Sequence, residues 1–269
     1  MAELVFTKKP KALLVINDSL IMIKRSSTHI IRNTDQLLGT FFQPIMFLLL
    51  FSAVFGGAIG LALPNGVSYL SYLMAGIIIQ TAAFGSTTTA LAVANDLQRG
   101  IIDRFRSSPM SSSALLMGHV VSDVFKNAIS TIIMLLVGLL IGFRTSASLI
   151  DWLTIAVILI LFSLAFSWLA AIMGVVAKSV EAVQWLTFVI IFPLTFASSA
   201  FTPTSVLNNA VLKAFAENQP ITHVINAVRA LLLGTPTGNS VWLAIVWSLG
   251  TLIVAIPLAS WIFRNKTSH

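Results

Sequence analysis

The feature that most constrains this chain is a run from Gln36 to Asn95 that contains no charged residue. A soluble domain cannot cover its surface without charges, and only 9% of this chain is charged, against about 25% in average soluble domains. A membrane helix needs roughly 20 apolar residues, at about 1.5 Å each, to cross a hydrocarbon core about 30 Å thick. The run is long enough for two such helices, and turn residues divide it at Pro64, Asn65 and Gly66. The sequence therefore predicts a polytopic membrane protein and excludes a soluble enzyme.

The other apolar runs complete the prediction of an all-α membrane protein with six transmembrane helices. The predicted spans cover residues of about 37–63, 69–94, 113–143, 152–177, 182–201 and 241–263. Before them, Lys11–Arg32 mixes apolar and charged residues, a pattern typical of an amphipathic helix in the cytoplasmic interface. That helix is either a plain membrane anchor or an element with a further role. The chain would divide into a cytoplasmic amino-terminal segment (1–36), a transmembrane domain (37–263) and a cytoplasmic tail (264–269).

The positions of lysine and arginine predict the orientation. The chain has 16 of these residues against nine Asp and Glu. If the amino terminus is cytoplasmic, the outer connections hold only Arg144, Lys213 and Arg229. Positively charged residues concentrate on the cytoplasmic side of membrane proteins, so both termini are expected there. The positive charge then reflects topology and contact with anionic lipid, and no nucleic-acid partner is expected.

The predicted inner loop, Asn95–Ser111, has the pattern of a short amphipathic helix. Asp96 is suited to cap its amino end, and Pro109 favours a turn after it. Apolar and charged residues alternate with helical spacing, the apolar ones being Leu97, Ile101, Ile102 and Phe105 and the charged ones Arg99, Asp103 and Arg106. Such a helix either holds two spans in register or docks a cytoplasmic partner.

The predicted outer segment, Phe201–Ser240, is too long for a hairpin and too apolar for an aqueous loop. Pro203 and Pro220 divide it into two apolar stripes. Two short helices in or on the outer leaflet fit this pattern, because non-helical backbone at membrane depth must be covered. The segment would serve as a gate or as a structural plug.

Few charged groups lie inside the predicted spans. Asp123 and Lys126 share a helical face and can neutralise each other. Because the third span is long, we expect this pair in the cytoplasmic headgroups, with a role in lining an inner cavity as the alternative. Aromatic and polar residues suited to a route for an amphiphilic compound, or simply to helix packing, are Phe41, Phe42, Gln80 and Phe84.

Several chemistries are excluded. The chain has no cysteine, its four histidines are scattered, and no catalytic serine motif occurs. No catalytic residue, metal site or cofactor is therefore expected. A phosphate-binding Gly-x-x-x-x-Gly-Lys-Ser/Thr motif does not occur either, so this chain does not hydrolyse ATP.

Two blocks carry a resemblance to a known family. Arg99–Arg106, followed by Ser108–Ser111, resembles the inner loop of type-2 ABC exporter permeases. Phe201–Ser205, together with Phe215–Thr222 and Val224–Leu231, is similar to the daunorubicin-resistance branch of that family. The resemblance covers nearly the whole chain in order and topology.

The resemblance implies a permease subunit in a prokaryotic plasma membrane, paired with a second permease subunit, identical or related, and with two ATP-binding subunits. Its cargo would be a hydrophobic drug-like compound, or alternatively a lipid or glycan. The helix that docks on the ATPase would include Asp96, Leu97, Arg99, Gly100, Ile101, Asp103, Arg104 and Phe105. The outer hairpin above the pathway would include Pro203, Glu217, Gln219, Pro220, Asn226 and Arg229.

A rival from another class is an ion-coupled secondary transporter. That class requires buried ionisable groups and paired broken helices, and the sequence offers only Asp123 and Lys126. A membrane scaffold without transport is a third possibility.

Overall fold

All regular structure in the described part of the chain is helical, as the sequence predicts. The computed structural model describes residues 34–64, 66–99 and 112–267. The predicted interface helix, Lys11–Arg32, lies outside these ranges. The helices are α1 (Thr34–Gly60), α2 (Tyr69–Gly85), α3 (Thr87–Gln98), α4 (Ser112–Ile141), α5 (Leu149–Val176), α6 (Val180–Phe196), α7 (Ala210–Asn218), α8 (Pro220–Leu233) and α9 (Ser240–Thr267), with a short 3-10 turn at Thr204–Val206.

Within the described ranges, five helical stretches are long and apolar enough to cross a membrane. They are α1, α2 with α3, α4, α5 and α9. The fifth predicted span, residues 182–201, corresponds to α6, which has 17 residues and is therefore only about 25 Å long. The second predicted span, residues 69–94, is two helices, because α2 ends at Gly85 and α3 begins at Thr87.

Serine side chains set the start of several helices. Ser68 and Ser179 each accept a hydrogen bond from a backbone N–H in the first turn of α2 and α6, respectively. Ser148 does the same for α5, and Asp151 accepts in return from the backbone N–H and the hydroxyl of Ser148. These caps satisfy N–H groups that have no partner within the helix.

The broken helix α2–α3 lies in the interior of the bundle. In the most apolar stretch of α2–α3, 72% of the residues are buried, whereas 11% are buried in the corresponding stretch of α1. Helix α5 packs against α3, α4, α8 and α9. Contact between α5 and α3 is close at Gly174, where an added Cβ would overlap the carbonyl oxygen of Ala90. This packing brings the break in α2–α3 against α4 and α5.

Candidate functional site: a buried ion pair at a broken helix

The break between α2 and α3 leaves a backbone carbonyl for side chains to satisfy. The N–H of Thr89 donates to the carbonyl of Ser86 at 3.0 Å, which is a tightened helical turn. The carbonyl of Gly85 accepts from the Thr88 hydroxyl and from Lys126 Nζ, each at 2.8 Å. A backbone polar group at membrane depth needs such a partner. Lys126 of α4 therefore stabilises the backbone at the break.

Lys126 is paired with Asp123 on the same helix. Lys126 Nζ lies 2.7 Å from Asp123 Oδ1, and each side chain is only 2% exposed. The expectation that this pair is solvated is wrong. Asp123 lies eleven residues into α4, about 16.5 Å from its start, and α4 is packed there against the broken helix and α5. A charge in such a position needs a partner of opposite charge.

Three further side chains complete the surroundings of Asp123. Ser167 of α5 donates to Oδ2, as does Asn127 Nδ2 at 3.3 Å. Thr88 Oγ1 lies 3.3 Å from Oδ1. We call Gly85, Thr88, Asp123, Lys126, Asn127 and Ser167 the polar cluster. It joins α2, α3, α4 and α5 at one place.

A second polar contact joins the inner-loop end of α3 to α4. Asp96 Oδ2 lies 2.9 Å from His119 Nε2. Asp96 and Leu97 belong to the last turn of α3, so the prediction that Asp96 caps the amino end of the inner-loop helix is wrong. The helix continues past the predicted boundary, and its last turn is tied to α4 through this contact. Arg99 is the C-cap that follows α3, and its N–H donates to the carbonyl of Asn95 at 3.0 Å.

The rest of the predicted docking helix lies outside the described residues. This applies to Gly100, Ile101, Asp103, Arg104 and Phe105. Within the described ranges, no three His, Cys, Asp or Glu side chains come together as a metal site.

The predicted outer hairpin consists of α7 and α8. Pro203 precedes the 3-10 turn, Glu217 is exposed on α7, and Pro220 is the first residue of α8. Gln219 is 4% exposed, and its Nε2 donates to the carbonyl of Ala197. The segment is therefore helical, as predicted, and it is hydrogen-bonded to the turn that follows α6.

Arg229 fastens this hairpin to α2. Its Nε donates to the carbonyl of Tyr72 at 3.0 Å, and Nη2 donates to the carbonyl of Ser199 at 2.5 Å. Nη1 donates to Asn226 Oδ1 at 2.8 Å, and the guanidinium carbon lies 3.6 Å from the Tyr72 ring centroid. These partners are neutral oxygens and an aromatic ring. Arg229 is buried, so it links α8 to α2 and to the turn after α6.

The four predicted pathway residues lie on two different helices. Phe42 is exposed and Phe41 half-buried on α1, which is mostly unburied. Gln80 and Phe84 lie on α2, where Gln80 is 4% exposed and its Nε2 has no hydrogen-bond partner among the described residues. Phe84 packs against the main apolar core.

A row of phenylalanine rings in mutual contact was not predicted. Its ring centroids are 4.9 Å apart for Phe188–Phe192, 4.2 Å for Phe192–Phe196, 4.7 Å for Phe196–Phe201, 4.6 Å for Phe51–Phe201 and 5.3 Å for Phe51–Phe55. We call these six residues the aromatic row. It runs along α6 towards the outer hairpin and continues onto α1. The only sequence signal was the recurrence of Phe188, Phe192 and Phe196 at every fourth position.

Comparison with known proteins gives consistent matches. A family model described as ABC-2 type transporter matches residues 18–233. The daunorubicin resistance ABC transporter permease protein DrrB1 of Streptomyces coeruleorubidus is 30% identical over 234 residues, covering 87% of this chain and 81% of the relative. The probable doxorubicin resistance ABC transporter permease protein DrrC of Mycobacterium tuberculosis (strain ATCC 25618 / H37Rv) is 26% identical over 96% of this chain and 92% of its own length. The inner membrane transport permease YadH of Escherichia coli (strain K12) is 24% identical over 81% and 82%.

Proposed function

We propose, since this chain belongs to the ABC-2 type transporter family, that it is the transmembrane subunit of an ATP-driven exporter in the plasma membrane of a prokaryote. Two ATP-binding subunits would supply the energy, because this chain lacks the phosphate-binding motif. A second permease subunit, identical or related, would complete the transporter. Both termini would be cytoplasmic, which places α7 and α8 on the outer side.

The polar cluster is the observation that carries the proposed coupling. Helix α3 lies between the inner loop and the break at Ser86, and it is held at both ends. His119 binds Asp96 near the loop, and at the break Lys126 Nζ donates to the hydroxyl of Thr88, in the first turn of α3. A push on the inner loop would therefore move α3 as a rigid piece about Ser86, and α4 and α5 would follow through Asp123 and its partners. This coupling path is a geometric argument about contacts.

The aromatic row supports a hydrophobic drug-like cargo. Phe188 and Phe192 on α6 are 47% and 38% exposed, and Phe55 on α1 is 39% exposed. Exposed ring faces offer apolar area and stacking to a flat ligand. Two of the relatives named above are permeases of daunorubicin or doxorubicin resistance. We propose that this row contributes to the cargo route.

Co-purification and charge reversal test the proposal. The chain is expected to bring down an ATP-binding subunit that is co-expressed from a neighbouring gene. Reversal of charge at Arg99 with Asp103 is expected to abolish ATP-dependent efflux while membrane insertion stays intact. The matched control is Lys213→Glu on α7, at the opposite end of the bundle, which is expected to leave efflux unchanged. Efflux that survives the inner-loop reversal would contradict the coupling model.

One observation favours a second candidate function. A buried ion pair beside a broken helix is also a feature of ion-coupled secondary transporters, and Asp123–Lys126 at the α2–α3 break has this form. In such a transporter a proton or ion gradient would drive the cargo without nucleotide. Family membership favours the ATP-driven exporter, and the driving force distinguishes the two.

A further inference from the structure

A slot separate from the aromatic row runs between α4 and α5. Its volume is about 290 Å³. Each of the two helices contributes one face, consisting of Val124, Asn127, Ala128, Thr131, Ile132 and Leu135 on α4 and of Trp152, Ile155, Ala156, Leu159, Ile160 and Ser163 on α5. Ile78 of α2 closes the back of the slot, and Leu232 of α8 also contacts it. Its lining is almost entirely apolar.

The same residue spacing builds both walls. Starting from Val124 on α4 and from Trp152 on α5, lining positions fall at i, i+3, i+4, i+7, i+8 and i+11, which is one helical face. Each wall includes one alanine, Ala128 on α4 and Ala156 on α5, whose small side chain leaves room in the slot. Ile132 is 58% exposed, so the slot is open on the side that faces away from the other helices of the bundle.

The length of the slot matches one leaflet of a bilayer. Trp152 lies three residues after the start of α5, and Ser163 lies eleven residues further on. At about 1.5 Å per residue the slot is about 16.5 Å long, against about 15 Å for half of a hydrocarbon core about 30 Å thick. Tryptophan is enriched at the boundary between this core and the headgroups. The slot thus extends from the boundary, at Trp152, to the middle of the bilayer.

Little else can fill a slot of this kind. Apolar cavities do not hold water, which needs two or more polar partners, and an empty slot would forfeit the dispersion contacts of its lining atoms. Because the slot opens at the surface of the helical bundle, the hydrocarbon chains of the surrounding lipid can enter it directly. We infer that the slot binds one acyl chain of a phospholipid from the leaflet on the side of α7 and α8.

A cation lies at the level expected for the headgroup of that lipid. The connection between α4 and α5 carries Arg144, which is exposed. Its Nη1 is fixed by the carbonyls of Leu139 and Phe143, at 3.1 Å and 3.0 Å. The next residue, Thr145, donates to the carbonyl of Leu232, a lining residue, at 2.7 Å. Arg144 thus lies in the connection between α4 and α5, at the end of the slot marked by Trp152, which is the level at which the phosphate of a seated lipid would lie.

The inner end of the slot meets the polar cluster. Asn127 lines the slot and also donates to Asp123 Oδ2 at 3.3 Å. An acyl chain seated there contacts the side chain that supports the ion pair. Binding of an acyl chain in the slot therefore affects how α4 packs against α5 at this cluster.

Filling the slot from either wall tests the inference. Ala156→Phe and Ala128→Phe each place a ring in the slot, and both alanines are exposed, so neither substitution displaces a core side chain. The matched control is Val157→Phe, on the same helix at the same depth but outside the slot, where Val157 is 50% exposed. The measurement is the number of phospholipids retained by the purified, detergent-solubilised protein, counted by native mass spectrometry.

We expect the wild type and Val157→Phe to retain one more phospholipid per chain than either filled variant. Arg144→Gln, which removes the headgroup contact, is expected to lower the retained fraction. Equal retention in the wild type and both filled variants would overturn the inference. A filled variant that keeps its lipid but loses binding of a hydrophobic dye would overturn it as well, because the slot would then belong to the cargo.

A second copy of the chain is the other possible occupant. The chain has no cysteine, so Ile160→Cys introduces the only thiol, at a position that is 47% exposed on the edge of the slot. With a lipid in the slot, we expect oxidation to give no disulfide-linked dimer. Efficient cross-linking in native membranes would show that a neighbouring chain covers the slot, and the inference would fail.

Discussion

Removal of the charge on Lys126 gives the sharpest test of the polar cluster. In Lys126→Met, Asp123 loses the ammonium group that lies 2.7 Å from its Oδ1, and the Gly85 carbonyl loses a donor at 2.8 Å. Both charged side chains are only 2% exposed, so water does not replace the lost partner. Removal of one member of a buried ion pair costs about 3–5 kcal/mol. With about 2–4 °C of melting temperature per kcal/mol for a chain of similar size, the expected decrease is roughly 6–20 °C.

A double-mutant cycle separates the ion pair from other effects of the substitution. Asp123→Asn alone leaves the buried Lys126 without a negatively charged partner and is expected to lower the free energy of unfolding about as much as Lys126→Met does. The combined variant removes both charges, so its loss is expected to be smaller than the sum of the two single losses by about 1 kcal/mol or more. The assay is thermal unfolding of the purified protein, followed by circular dichroism, with Lys213→Met on α7 as the control for loss of a lysine. Single losses below about 1 kcal/mol, or strictly additive losses, would refute a tightly coupled buried pair.

Two close contacts give further predictions. Gly174→Ala is expected to lower the melting temperature and transport activity, because its Cβ would overlap the Ala90 carbonyl oxygen. Gly250→Ala, where a Cβ meets nothing within 4 Å, is expected to stabilise α9 by up to about 1 kcal/mol. Equal melting temperatures for the two variants would argue against tight α3–α5 packing. Arg229→Lys keeps the charge but loses the forked hydrogen bonds and the flat contact with Tyr72. A loss of roughly 2 kcal/mol in unfolding free energy is therefore expected. A lysine variant as stable as the wild type would show that the charge alone is sufficient at this position.

The sequence predicted the spans because their signal is local. An uncharged run and its turn residues identify α1 and α2–α3, and the boundaries of α4, α5 and α9 differ from the predicted ones by at most four residues. The break at Ser86 carried no such signal. No proline marks it, and the side chain that satisfies the freed carbonyl of Gly85 belongs to Lys126, 41 residues away. A break stabilised by a distant side chain does not show in local composition.

The candidate site was only half predictable for a similar reason. The spacing of Asp123 and Lys126 showed that they can pair, but their burial depends on α3 and α5, and Ser167 is 44 residues from Asp123. His119 looked isolated in the sequence because its partner, Asp96, lies at the end of another helix. The slot followed the same rule. Each wall is a helical face that the residue spacing in the sequence shows. That the two faces lie opposite each other depends on how the helices pack, which the sequence pattern does not show.

Transport into inside-out membrane vesicles tests the central claim most directly. Vesicles that contain this chain and its co-expressed ATP-binding subunit are supplied either with ATP or with an imposed proton gradient, and accumulation of a fluorescent hydrophobic compound is followed. The account predicts accumulation on addition of ATP, its loss in the Arg99 and Asp103 charge-reversal variant, and no accumulation from the gradient alone. Accumulation driven by the gradient without nucleotide would contradict it.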